Sequence, residues 1–320
     1  MVSGLVVAVV GPTATGKSDL GIALALALRG EVVNTDAMQL YRGLDIGTAK
    51  VPPDERRGVP HHLLDVLDPR QGATVADYQA WGREALADLQ ARGRTPVAVG
   101  GSGLYVRALL DHLEFPGTDP ALRAALEARA DAEGPRALHA ELAAADPDAA
   151  TRIGPHNARR LVRALEVIAI TGETYSSFLP EHVYAVPAVQ IGIDCDRAVL
   201  DARVAARVER MWAAGLVGEV EGLVAAGGLG RTAARAVGYA QVLALLAGQV
   251  GEEQAYDETV AATRRLARRQ MGWFGRDPRV HWLDAQDPDL VAHALELVER
   301  ARAGDLPDAG TEPTARRLGS

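Results

Sequence analysis

The sequence predicts an α/β protein built on a parallel sheet and interrupted by a helical insertion. Three observations carry that prediction. Short apolar runs, LVVAVV (5–10), EVVN (31–34), TPVAV (95–99) and AVQIGI (188–193), each lead into a turn and then into other structure, as parallel α/β units do. GPTATGKS (11–18) follows the first run directly and satisfies G-x-x-x-x-G-K-[ST] at Gly11, Gly16, Lys17 and Ser18. Strand signals then vanish from Glu114 until the run at 188. The expected architecture is a P-loop NTPase-like core with a parallel sheet, formed by 1–113 and 185–302, plus a helical insertion domain at 114–184.

Taken in order, 5–10 reads as a buried strand and 19–28 as the helix that the loop opens. Gly11, Pro12, Thr13, Ala14, Thr15, Gly16, Lys17 and Ser18 are the phosphate-binding candidates. Glycines let backbone N–H groups curl round phosphate oxygens, and the helix N-terminus adds partial positive charge. Lys17 has the reach for a terminal phosphate, and the Ser18 hydroxyl suits Mg²⁺. EVVN ends at TDAMQLY and delivers Asp36, on a strand read as adjacent to the loop strand, where an acid/base or metal-linked carboxylate belongs. The Gly-, Pro- and His-dense stretch 43–69 reads as a functional loop. Thr74 caps a helix ending at Gly93, and the strand at 95–99 points a second Gly-rich loop, 100–103, at the same sheet edge.

The insertion reads as short helices over 119–172, broken at Gly134-Pro135, Pro147 and Gly154-Pro155. Long helices are expected at 197–226, 236–246 and 254–273, a last short strand at 280–285, and a disordered tail over 303–320.

Composition bounds the function. The 320 residues are 48% hydrophobic, enough for a sizeable core and against global disorder. One cysteine, Cys195, excludes a disulfide framework and a CxxC metal site. No apolar run approaches the ~20 residues of a membrane span, and the first four residues do not resemble a signal peptide, so a cytoplasmic soluble protein is expected. The net charge of -8 argues, taken alone, against a nucleic-acid partner. Its distribution argues otherwise. Arg203, Arg207 and Arg210 share one helical face, Arg159 and Arg163 another with Arg160 beside them, and Arg264/Arg268 and Arg265/Arg269 form two i,i+4 pairs near Trp273 and Phe274. Each group alone reads as a solvated face; together they point to a polyanion, for which arginine geometry is suited. His61-His62 reads as an ordinary loop pair, since adjacent positions do not converge on a metal.

The ordered series GPTATGKS, TDAMQLYRGLDIGTAK, HHLLDVLDP, GGSGLY, RLVRALEV, RVAARVERMWAAGLVGEV, ARAVGYAQ and TRRLARRQMGWF resembles the tRNA dimethylallyltransferases of bacterial type, from about Val6 to Trp282. The resemblance implies transfer of a dimethylallyl group from dimethylallyl diphosphate to the exocyclic N6 amine of adenine 37, in tRNAs reading codons that begin with U. It implies that Thr13 to Ser18 hold the donor diphosphate with Mg²⁺ on Ser18, that Lys17 and Arg207 neutralise the leaving group, that Asp36 is the base, and that Ser102 helps hold the adenine. It implies tRNA contacts from Asp36, Ala37, Met38, Gln39, Ser102, Arg123, Arg159, Arg160, Leu161, Val162 and Arg163. Arg235, Ala236, Val237, Gly238, Tyr239 and Ala240 would add to these, with the 264–269 helix. The implied partners are the tRNA anticodon stem-loop and the prenyl donor, with no membrane and no obligate protein partner, the chain acting as a monomer. Departures from the family pattern are Ser102 for threonine, Ala37 for serine, Arg265 for glutamine and Gly275 for arginine. The alternatives are an ATP-dependent P-loop kinase of a small metabolite and an RNA-binding protein with a degenerate loop.

Overall fold

The computed structural model describes residues 4–178 and 182–306. The tail expectation over 303–320 falls mostly outside the described residues. The chain divides into two compact units, one formed by the stretches up to Leu110 and from Tyr184, the other by Asp111–Val183. The breaks lie at 110/111 and 183/184, where 113/114 and 184/185 are expected from composition.

The first unit is a six-stranded sheet, all parallel, of β1 (Val6–Val10), β2 (Glu31–Asn34), β3 (His61–His62), β4 (Pro96–Val99), β5 (Ala188–Asp194) and β6 (Val280–Asp284). Their spatial order is β3-β2-β4-β1-β5-β6. This corrects one expectation: β2, which carries Asp36 at its end, is not adjacent to the loop strand. The crossover through α1 (Lys17–Ala27) skips one place, and β4 fills it, pairing Val97 with both Val7 and Val32. Both faces of β1 are buried, so its five residues read as continuous apolar sequence rather than as alternation. α1 and α12 (Leu290–Ala303) cover one face: Leu20, Leu24, Ala294 and Val298 join Val7, Val9, Val97 and Ile191 in one core. α2 (Val75–Ala91) packs on α3 (Gly103–Leu110) and against β2 and β4. Thr74 caps α2 with a reciprocal box, accepting from Asp77 N while the Asp77 carboxylate accepts from Thr74 N.

The second unit holds α4 (Pro120–Glu133), α5 (Pro135–Ala145), α6 (Pro147–Ile153) and α7 (Ala158–Thr171). Proline opens three of these helices, and Asp119, Asp146 and Asn157 cap α4, α6 and α7 by accepting first-turn N–H bonds. Leu126, Leu138, Leu142, Leu161 and Leu165 make their common core.

Back in the first unit, the helix expected over 197–226 is two: α8 (Arg197–Ala213) and α9 (Leu216–Ala225). Gly215 between them has φ +94°, a left-handed conformation that ends α8. Likewise α10 (Tyr239–Leu246) starts after Gly238 rather than at Ala236, behind a short 3₁₀ turn at Ala233–Arg235. α11 (Glu252–Phe274) is slightly longer than expected, and α12 carries no sequence expectation at all.

Candidate active site

The phosphate loop is shaped by its neighbours. Gly11 has φ +129°, and a Cβ there would fall 2.5 Å from Ile193 O of β5, so no other residue fits. Thr15 Oγ1 donates to Pro12 O at 2.9 Å, tightening the turn. Gly16 caps α1 without a side chain, which leaves the first N–H groups of the helix facing the loop for an anion.

Around that loop the structure gathers residues from four other segments. Lys17 Nζ donates to Pro12 O at 2.5 Å, and Arg207, from α8, donates through Nη1 to Thr13 Oγ1 at 2.8 Å. Asp36 stands just past the end of β2. Its N–H donates to Asn34 Oδ1 at 2.8 Å, and its own Oδ1 accepts from Met38 N at 2.9 Å. The turn after β4 presses on this segment: a Cβ on Gly100 would meet the Thr35 carbonyl carbon at 2.5 Å. Ser102 from the same turn accepts from Ala37 N at 3.1 Å. The hydroxyl that the family resemblance implies for holding the adenine thus braces the chain beside Asp36.

The electrostatics follow from burial. Burial, helped by the Arg207 charge and opposed by Asp36, lowers the Lys17 ammonium to about 7. Burial raises the Asp36 carboxyl above its ordinary value, against the Met38 hydrogen bond and the charges of Lys17 and Arg207. Asp36 is thus a stronger proton acceptor than an exposed aspartate, held in the field of two cations.

Two cavities open on this cluster. A large cleft of ≈1140 Å³ is lined by the loop from Ala14 to Leu20 and by Arg203, Arg207 and Arg210. The arginine face read from the spacing on α8 therefore looks onto the phosphate loop. A smaller cavity of ≈70 Å³ shares Lys17, Ser18 and Arg207 with the cleft, and adds Asp36, Gln39 and a set of apolar side chains. Ser18 lines both. Among the described residues no three His, Cys, Asp or Glu side chains converge on a metal. One hydroxyl beside an anion cradle fits Mg²⁺, which keeps several waters and takes phosphate oxygens as ligands.

Three residues that sequence reasoning left unassigned complete the site. Gln270 of α11 accepts from Thr13 N at 2.8 Å and donates to Gly101 O at 3.1 Å, tying the two Gly-rich loops together. Its only sequence signal is an uncharged amide in the run ARRQ. Lys50 is buried and donates to Tyr41 O, Asp45 and Asp65 at 2.5, 2.8 and 2.5 Å, closing the loop that walls the cavities. Glu219 of α9 accepts from the N–H groups of Asp45, Ile46 and Gly47 and from Tyr239 OH at 2.5 Å.

Other sequence candidates have different surroundings. Leu161 and Val162 are buried in the core of the second unit, so their side chains pack rather than face an RNA. In that unit Arg123 and Arg163 reach the fully buried Glu166 at 2.5 and 2.8 Å. Burial alone would raise the Glu166 carboxyl; the two arginines hold it below its ordinary value. Arg159 and Arg160 stay exposed. In the stretch 235–240, Arg235 is exposed, while Ala236, Gly238 and Tyr239 are buried and Val237 and Ala240 partly so. Gln39, assigned to the adenine, donates to Thr48 O at 3.0 Å. On α11, Arg264 faces Asp201 at 3.6 Å, whereas Arg265, Arg268 and Arg269 are exposed. His61-His62 forms the edge strand β3: His62 Nε2 bonds Glu31 Oε2 at 2.7 Å and His61 Nδ1 bonds Val59 O at 2.9 Å.

Comparison with known proteins gives a consistent picture. Residues 39–277 match the family model described as IPP transferase. A protein of Thermobifida fusca named tRNA dimethylallyltransferase is 61% identical over 299 residues, covering 92% of this chain and 94% of its own. One of Streptomyces coelicolor with the same name is 60% identical, covering 92% and 96%. The solved tRNA isopentenylpyrophosphate transferase of Bacillus halodurans superposes with a TM-score of 0.70 at 39% identity, covering 94% of this chain and 96% of its own. A eukaryotic dimethylallyltransferase captured acting on tRNA gives 0.81 at 25% identity, covering 96% and 81%.

Proposed function

The chain belongs to the IPP transferase family and is a tRNA dimethylallyltransferase; on that premise we propose that its acceptor is the N6 amine of adenine 37, in tRNAs reading codons that begin with U. The donor is dimethylallyl diphosphate. On the same reading the chain works as a cytoplasmic monomer, its single cysteine fitting a reducing interior.

The observation that carries the mechanism is Asp36 sharing one small cavity with Lys17 and Arg207. The exocyclic amine of adenine is a weak nucleophile because its lone pair is conjugated with the ring. Its nitrogen attacks C1 of the prenyl group, the C1–O bond to diphosphate breaks, and the displaced N6 proton goes to the Asp36 carboxylate. The raised Asp36 basicity suits it to that proton. Lys17, Arg207 and the N–H groups at the start of α1 take up the charge that develops on the departing diphosphate. Mg²⁺ held by Ser18 would supply further charge neutralisation there. The adenine must leave its stack to reach the cavity, which costs least in a single-stranded loop.

The test is incubation of the full chain with labelled dimethylallyl diphosphate, Mg²⁺ and unmodified tRNA. Label is expected in RNA, and not when adenine 37 is replaced by guanine. Equal labelling of the guanine-substituted tRNA contradicts the acceptor assignment. ATP turnover without RNA would favour the kinase alternative instead.

A further inference from the structure

One side chain holds the backbone of Asp36. That residue lies past the last position of β2, yet both its N–H and its carbonyl are bonded, and both to Asn34. Asn34 Oδ1 accepts from Asp36 N at 2.8 Å, and Asn34 Nδ2 donates to Asp36 O at 3.0 Å. The amide also donates to Leu63 O at 3.0 Å. Asn34 is itself only 2% exposed, and its own carbonyl accepts from the buried Tyr78 hydroxyl at 2.9 Å.

These bonds select a carboxamide. Its NH₂ supplies two donors and its oxygen an acceptor, and both atoms are engaged here. Turned over, the group would set its oxygen against two carbonyls and its NH₂ against an N–H, and all three bonds would be lost. An ionised aspartate keeps the shape but has no hydrogen for Asp36 O or Leu63 O.

The amide also joins two walls of the smaller cavity. Leu63 has φ +60° and Asp65 φ +58°, left-handed conformations that such side chains rarely adopt. Leu64, between them, lines the cavity with Asp36 and Gln39, and Asp65 N donates to Gln39 O at 3.3 Å. The Asp36 carboxylate accepts from Met38 N at 2.9 Å, so its direction follows from the turn that Asn34 sets. A reacting group misplaced by about 1 Å can lose on the order of a hundredfold in rate. We infer that Asn34 is the positioning residue for the base, acting through Asp36 by aiming its carboxylate into the cavity. The proposal rests on the prenyl-transfer reading above, with Asp36 as the base.

The test is a double-mutant cycle on single-turnover label transfer to tRNA, with Asn34→Ala made in the wild type and in Asp36→Asn. In the wild-type background the saturated rate is expected to fall roughly ten- to hundredfold, while the half-saturating donor concentration changes less than about twofold. In the Asp36→Asn background the same change should cost less than about threefold, because the group that Asn34 aims is already gone. Asn34→Asp, which keeps the shape and loses both donors, should repeat the pattern and serves should the alanine variant not fold. Equal losses in both backgrounds would mean that Asn34 supports the fold and not the base. An unchanged rate, or a shifted donor requirement, would also overturn the proposal. Two further outcomes overturn it by removing its premise. No label transfer by the wild type means that the reaction is wrong, and full activity in Asp36→Asn means that the base is.

Discussion

Lys17 is buried beside Arg207, and burial outweighs the favourable Asp36 charge, so its ammonium titrates at about 7 instead of near 10.5. Binding a diphosphate favours the charged form. Below pH ~7 that charge is already present; above it, binding must draw a proton from solution, and affinity falls by at most about tenfold per pH unit. The donor itself is fully ionised over that range, since the last phosphate pKa is about 6. The dissociation constant of dimethylallyl diphosphate, measured by calorimetry in the absence of RNA, should therefore rise steadily between about pH 7 and 9. A constant value over that range would contradict a buried, titrating Lys17. Lys17 and Asp36 were legible because each sits within a few residues of a glycine or strand signal. Gln270 was not, because it lies 257 residues from its partner Thr13, and nothing local marks a residue whose role is made by packing.

At the scale of elements, the loop that walls the cavities is held from both sides. Lys50 closes it from within, and Glu219 of α9 accepts three of its backbone N–H groups while also taking the Tyr239 hydroxyl from α10. Burial and Glu219 raise the Tyr239 phenol, which stays protonated and donates. Tyr239→Phe removes one hydrogen bond to a charged acceptor, a loss of about 1.5–3 kcal/mol. Thermal unfolding should fall accordingly, and hydrogen exchange at Asp45, Ile46 and Gly47 should quicken. Unchanged exchange there would show that Glu219 holds the loop without Tyr239. This latch joins parts of the chain that sequence spacing could not connect. The same limit explains the strand order: five of the six strands were visible in their apolar runs while β3, His61–His62, read as loop, and which neighbour each strand pairs with is settled by how crossovers pack. Gly215 illustrates the converse. A glycine inside helical spacing can be tolerated, and only its φ of +94° makes it a break.

Over the whole molecule, a net charge of -8 coexists with a polyanionic substrate because the charge is used locally. Arg207 bonds Thr13 of the phosphate loop, Arg123 and Arg163 neutralise Glu166, and Arg264 faces Asp201. Arg159, Arg160, Arg235, Arg265, Arg268 and Arg269 remain exposed. If about four of them each meet one phosphate, the tRNA dissociation constant should rise about a hundredfold between ~50 and ~200 mM salt. A flat response returns these arginines to an ordinary solvated surface. The proposed mechanism rests on Asp36 as the base acting at the end of a diphosphate cradle. The most direct measurement is the single-turnover rate of label transfer to tRNA against pH, for wild type and Asp36→Asn. The wild-type rate should fall as pH drops through the raised Asp36 pKa, and the variant should be slower by about 10²–10⁴ with that acid limb gone, while still binding the donor. A variant that keeps the wild-type rate, or the same acid limb, would contradict the account.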